Sequence, residues 1–227
     1  MKNKLADVTD RIRRAAQAAG RDPAEITLVA VSKTHSPATV AEVIAAGARD
    51  LGENYIQEAR EKIAALADQP ATWHFIGHLQ SNKAKYAVSL FDWIHSLDSL
   101  KLARALDREA AKKQCRPRVL IQVNLAGEAS KSGVAPEEAM ELAAAVGALE
   151  NLSLRGLMTM PPFYNDPEQV RPYFAGLRKL ADEIRSAALP GVAMDELSMG
   201  MTGDFEAAVA EGATMVRVGT AIFGGRS

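Results

Sequence analysis

Apolar positions along the chain change period in a regular way. Leu5, Val8, Ile12, Ala15, Ala16 and Ala19 recur three and four apart, which predicts a helix over residues 2–19 with Gly20 at the C′ position. From Thr27 onward, short β-branched or continuous apolar runs alternate with longer amphipathic or alanine-rich stretches. The runs Thr27–Ser32, Asp50–Gly52, Thr72–Ile76, Trp93–His95, Arg118–Asn124, Ser153–Met158, Met194–Ser198 and Thr214–Val218 predict strands. The stretches 37–46, 54–67, 81–89, 99–113, 136–148, 167–187 and 203–211 predict helices. Several open on capping signals, as at Ser36-Pro37, Asp98 and Asp166-Pro167.

Eight strands separated by seven helices, with no hairpin signal, imply parallel pairing. The chain length of 227 residues suits a small (β/α)8 barrel, which takes about 200–250. A doubly wound open sheet is the competitor, but its first strand should run into a glycine-rich turn. "VSKTHSPATV" holds no glycine. The expected fold is therefore α/β, a single (β/α)8 TIM barrel with an extra N-terminal helix, in one domain over residues 1–227. Nine residues follow Val218, too few for a full eighth helix. The N-terminal helix is expected to fill that place, because the first and eighth strands of a closed barrel are neighbours.

Composition narrows the function classes. Apolar residues make up 48% and charged ones 24%, so a full core forms. A formal net charge of −1 gives no footprint for nucleic acid or an anionic membrane. No run approaches the roughly 20 apolar residues of a membrane helix, and the N-terminus alternates charge with alanine. A soluble, cytoplasmic protein is expected. Cys115 is the only cysteine, which excludes an intramolecular disulfide and a cysteine-rich metal site. His74 and His78 lie in "WHFIGHLQSNK", without the H-E-x-x-H spacing of a zinc helix. No metal is expected, and His74 is read as a core hydrogen-bonding group.

Barrels carry their working residues at the C-terminal ends of strands. Lys33 ends the first strand, and alternation sets it on the face of Val29 and Val31. An amine in a partly desolvated mouth is suited to forming a Schiff base; the alternative is a solvated or ion-paired lysine on the rim. "LSMGMTGDFEAA" and "VRVGTAIFGG" each join a strand end to a helix start through small residues, with Gly219 and Thr220 in the second. Such turns let backbone N–H groups approach an anion, and the loops after strands seven and eight frequently hold phosphate. Arg217 alternates with Val216 and Val218, so it points into the barrel if the valines face helices. The alternative is a pair with Asp204 or Glu196. Glu53 and Asn54 end the second strand as polar contacts, or Asn54 is simply a helix N-cap. Lys131 lies in a polar loop after the fifth strand.

The ordered set "AVSKTHS", "GENYIQEA", "WHFIGHLQSNK", "QVNLAGEASKSGV", "GLMTM" and "LSMGMTGDFEAAVAEGATMVRVGTAIFG" resembles the pyridoxal 5′-phosphate homeostasis proteins, also called the YggS family, over nearly the whole chain. The resemblance implies a barrel like the N-terminal domain of alanine racemase, with pyridoxal 5′-phosphate as cofactor. It implies that Lys33 forms an internal aldimine and that Arg217 approaches the pyridine nitrogen. Ser198, Gly219 and Thr220 match positions around the phosphate, and Asn54 one near the ring. Some relatives have a second lysine two positions after the first, where this chain has His35; the lysine matching Lys131 is present. Racemases add a tyrosine from a second domain, which a chain ending at Ser227 does not provide. The implied function is holding the cofactor for intracellular homeostasis and supplying it to apo-enzymes, as a monomer or weak homodimer, without a reaction of its own. A vestigial amino-acid racemase and a cofactor-free Schiff-base aldolase are the alternatives.

Overall fold

Strand and helix alternate through the chain as the apolar pattern predicts. The strands are β1 (Thr27–Val31), β2 (Asp50–Glu53), β3 (Thr72–Phe75), β4 (Trp93–Leu97), β5 (Arg118–Val123), β6 (Ser153–Thr159), β7 (Val192–Ser198) and β8 (Met215–Val218). The helices are α1 (Lys2–Ala18), α2 (Pro37–Ala45), α3 (Ile56–Ala65), α4 (Ala84–Leu90), α5 (Leu100–Lys113), α6 (Pro136–Gly147), α7 (Arg171–Ser186), α8 (Phe205–Ala210) and α9 (Thr220–Phe223). This computed structural model describes residues 1–128, 132–162, 164 and 166–225. Lys131 therefore lies outside the described residues.

All strands run parallel and close into a barrel in chain order, with β1 hydrogen-bonded to both β2 and β8. The (β/α)8 expectation is met. Alternation divides each strand between two environments. Ala30, Leu51, Phe75, Ile94, Ile121, Leu157, Val216 and Val218 are buried in one large cluster with the helices. Trp93, Leu120, Met158 and Met215 form a separate cluster, and their alternation with the outward residues places it inside the barrel. Burying a side chain of this size contributes about 1.5–3 kcal/mol. The far larger sheet–helix layer therefore carries most of the stability, leaving the barrel interior freer to hold polar groups.

The extra helix sits where the closed topology requires it. α1 buries Leu5, Val8, Ile12 and Ala16. Its Arg11 pairs with Glu206 of α8 at 2.6 Å and lies 4.5 Å over the Phe205 ring. It ends as predicted, with Gly20 at φ +69 and two reverse hydrogen bonds, Gly20 N–H to Gln17 and Arg21 N–H to Ala16. Among the described residues, no helix is long and apolar enough to cross a membrane.

Several boundaries differ from the sequence expectation. The stretches 81–89 and 167–187 each open with a 3-10 turn, Ser81–Lys83 and Pro167–Val170, before the α-helix proper. Pro172 lies in the first turn of α7, where a missing N–H costs little. Ser99, not Asp98, caps α5, accepting from Leu102 N–H at 3.3 Å. The helix expected from residue 54 starts at Ile56 with Tyr55 as its cap residue, so Asn54 is not an N-cap. That last difference bears on the site.

Candidate functional site

β1 ends at Val31, and Lys33 follows in a turn with Thr34 at φ +67. Gly52 makes room beside it: a Cβ there would stand 2.9 Å from Val29 Cγ1 and 3.1 Å from Ile76 Cδ1, so Val29 and Ile76 fill its place. Three side chains of β2 and α3 hold the turn. Ser32 Oγ donates to Glu53 Oε1 at 2.6 Å, Lys62 Nζ donates to Ser32 O at 2.7 Å, and Thr34 N–H donates to Glu58 Oε2 at 2.8 Å. Lys62 also binds Glu53 Oε1 at 2.7 Å. Burial raises the Glu53 carboxyl above its ordinary value, against the opposing pull of Lys62 and Ser32. Lys33 itself is half-buried and makes no ion pair or side-chain hydrogen bond among the described residues. It is not the ion-paired rim lysine of the alternative reading.

His35, at the position of the second lysine in some relatives, stacks on Phe223 of α9 with ring centroids 4.7 Å apart. Burial and the Lys62 charge hold its pKa below the ordinary value. The ring ties the β1 turn to the end of the chain instead of offering a second amine.

Arg217 points into the barrel, as the outward burial of Val216 and Val218 requires, and is 3% exposed. Pairing of β1 with β8 sets it beside Val29. Nη1 donates to Ser198 Oγ at 2.6 Å and Nη2 to Thr159 O at 2.8 Å. It has no carboxylate partner among the described residues, so neither Asp204 nor Glu196 pairs with it. Burial pushes the guanidinium down to about 10, with the Asp204 charge opposing that shift, and it stays cationic at neutral pH.

A chain of hydrogen bonds continues from Arg217 across the interior. Ser198 Oγ meets His95 Nδ1 at 2.8 Å, His95 Nε2 meets His74 Nδ1 at 2.9 Å, and His74 Nε2 meets Asp50 Oδ1 at 3.0 Å. Arg217 only donates and a carboxylate oxygen only accepts, so with uncharged rings the proton order is determined. Ser198 O–H donates to His95, His95 Nε2–H to His74, and His74 Nε2–H to Asp50. His74 is the core hydrogen-bonding group expected from the sequence, and Ser198 is committed to Arg217 and His95.

Burial, His74 and Arg217 together hold His95 well below its ordinary 6.5. A depressed folded pKa means that the unfolded chain takes the proton first. Stability is thus unaffected above 6.5 and falls as pH drops below it, at a slope approaching about 1.4 kcal/mol per pH unit. Glu53 and Asp204, both raised by burial, act in the opposite sense at lower pH. The difference between the wild type and His95→Gln isolates the histidine. Denaturant unfolding from pH 7.5 to 5.5 should show a flatter profile for His95→Gln, and identical slopes would refute the assignment.

The loops after β7 and β8 meet at the same end of the barrel. Thr220 Oγ1 bonds Thr202 Oγ1 at 3.2 Å. Gly219 lies against Val31, with a Cβ position 3.4 Å from the Val31 carbonyl oxygen. The amides of Thr202 and Gly203 have no hydrogen-bond partner among the described residues, and α9 makes its first bond only at Ile222 N–H to Gly219 O. A Cβ at Gly203 would meet nothing within 4 Å. Across the barrel mouth, Asn54 Oδ1 is buried and without a partner among the described residues. Asn54 lines a hollow of about 210 Å³ together with Gln122 and Met160. Among the described residues, the arrangement brings a free amine, a fixed cation, open backbone donors and an unused acceptor to the C-terminal face. Sequence reasoning named Lys33, Arg217, Asn54, Ser198, Gly219 and Thr220, but missed His95, Thr159, Glu58 and Lys62. Only the i,i+4 spacing of Glu58 and Lys62 hinted at any of these.

The profile of the family described as "Alanine racemase, N-terminal domain" matches residues 4–227. A "Pyridoxal phosphate homeostasis protein" of Pseudomonas aeruginosa is 51% identical over 222 residues, covering 98% of this chain and 94% of that one. The Escherichia coli protein of the same name is 46% identical over 227 residues, covering 99% and 96%. Among solved structures, PipY of Synechococcus elongatus with PLP bound superposes with TM-score 0.84 at 41% identity, covering 94% of this chain and 100% of that one. Clostridium difficile alanine racemase shares the fold at TM-score 0.75 and 15% identity, with this chain covering 57% of its length. Matched end to end by relatives of one name and carrying their barrel, the chain belongs to the pyridoxal phosphate homeostasis protein family, built on the alanine racemase N-terminal domain.

Proposed function

We propose that the chain binds pyridoxal 5′-phosphate reversibly at the C-terminal face of the barrel and supplies it to enzymes that lack it. The observation that carries this is an unpaired, half-buried Lys33 at the same barrel end as the open β7 and β8 loops. The names of the relatives and the PLP-bound neighbour at 41% identity support the choice of ligand. The residues fit it chemically. Lys33 is the covalent attachment point, Gly219, Thr220 and the neighbouring amides suit a phosphate, and Asn54 brings the orphaned acceptor. When bound, pyridoxal phosphate supplies an aldehyde that condenses reversibly with amines and a ring that takes up negative charge when its nitrogen is protonated.

Arg217 favours a carrier over an enzyme. A fixed cation beside the ring nitrogen opposes protonation there, which weakens the ring as an electron sink. Ser198 and Thr159 hold the guanidinium in place, so it does not swing away. Exchange of Lys33 for an incoming amine needs no such sink. Loaded protein mixed with an apo-transaminase should therefore restore transaminase activity, while racemising or transaminating amino acids negligibly by itself. Lys33-dependent turnover of any amino acid by the loaded protein would identify an enzyme instead, and failure to reactivate the apo-transaminase would remove the supply role.

A further inference from the structure

Asn54 also walls a second cleft, of about 310 Å³, between the start of α3 and the turn leading into α4. Buried Phe75 and Leu79 line it with the half-buried Tyr86, and Arg60 and Lys83 add two cations. Among the described residues, none that lines it is a carboxylate. Elsewhere on the surface Arg11, Arg13, Arg14 and Arg178 each pair with an acid. The side chains of Arg60 and Lys83 make no ion pair or hydrogen bond among the described residues, although Lys83 Nζ lies 5.9 Å over the Tyr86 ring. The first turn of α3 has no capping side chain, and its carboxylate, Glu58, is engaged by Thr34 N–H and Lys62.

Unpaired cations on open surface are ordinarily just solvated. Here they border a concave apolar hollow, and that combination selects a ligand class. Small-molecule pockets span about 300–1,000 Å³, so this cleft is at the lower limit. Its size suits one ring with a charged head. We propose that it binds a small organic anion, a carboxylate or phosphate ester, whose flat body packs on Phe75, Leu79 and Tyr86 while Arg60 and Lys83 hold its head. Neither Lys33 nor Arg217 lines it, so the site is separate from the barrel mouth and shares with the hollow there only the wall made by Asn54 and His78.

Calorimetric titration of the full chain with phenyl phosphate and with benzoate tests this. The titration is run on protein whose Lys33 has been capped by borohydride reduction of the bound cofactor, with capping checked by mass, and in parallel on Lys33→Ala. The second arm keeps the test valid even where no capping occurs, which is how failure of the carrier reading would show itself. Saturable binding of at least one probe in both arms is expected. Losing one charged hydrogen bond should weaken it about tenfold in Arg60→Ala and again in Lys83→Ala. Benzyl alcohol should bind far more weakly than either probe. Unchanged affinity in both cation variants, binding blocked by the Lys33 cap, or no saturable binding would each overturn the proposal. Inorganic phosphate binding as tightly as phenyl phosphate would overturn its apolar half.

Discussion

Replacing Lys33 by alanine should abolish covalent capture of pyridoxal phosphate while leaving the barrel folded. Wild-type protein incubated with the cofactor and reduced with borohydride should carry the adduct chiefly on the Lys33 peptide, and Lys33→Ala should show neither that mass nor the associated absorbance. Lys33 is favoured over other lysines by its surroundings. The nearest rival, Lys62, is buried and engaged by Ser32 O and Glu53 Oε1, so its amine is committed. Because Lys33 makes no ion pair or side-chain hydrogen bond among the described residues, its loss should change stability by no more than about 0.5 kcal/mol. Weak, non-covalent binding should persist through the β7 and β8 loops. A main adduct on a different lysine in the variant would show that the attachment point lies elsewhere.

The barrel was legible because its signal is periodic. Val216 and Val218 against Arg217 is a pattern of period two, and burial of the valines against helices then fixes which way the arginine points. The place of α1 was legible from its helical period and from barrel closure, which makes β1 and β8 neighbours. Boundaries were less so. Whether Asn54 or Tyr55 opens α3 depends on the local backbone path, and residue type alone favoured the asparagine as a cap. The difference matters, because an Asn54 used as a cap would have its oxygen occupied, and of its two readings the structure removes the cap.

What sequence did not show is the set of contacts made across the barrel. His95 reads as the end of a short strand, and nothing in "WIHSL" announces that its two ring nitrogens join Ser198 of β7 to His74 of β3. Partners of this kind are separated by as many as 103 residues and meet only after closure. Ser198 is another case: its place in a family motif suggested a phosphate contact, and nothing in that motif announced that its hydroxyl joins Arg217 to His95. The Lys62–Glu53 pair was invisible for the same reason, since a lysine in an amphipathic helix is ordinarily a solvated residue.

That pair should give the largest loss of stability. Lys62 and Glu53 have side chains 5% and 0% exposed, and Glu53 Oε2 already lacks a partner. In Lys62→Met the carboxylate remains buried with Ser32 as its sole donor, and Ser32 O loses the ammonium. Breaking one side of a buried ion pair costs about 3–5 kcal/mol, which for a chain of this size lowers the unfolding midpoint by on the order of 10 °C. The pH dependence has a definite sign. Glu53 is raised above its ordinary 4.5, and a raised carboxyl contributes stability below the unfolded value that is lost as pH rises through the folded one. Removing Lys62 raises it further, so the defect should be larger at pH 8 than at pH 5. Adding Glu53→Gln should restore part of the loss, since a neutral amide accepts from Ser32 without a buried charge. Capture at Lys33, followed well below the variant's own midpoint, should also slow, because the turn bearing Thr34 at φ +67 has lost one of its ties. A midpoint unchanged in Lys62→Met, or a defect independent of pH, would mean that this pair does not hold the turn.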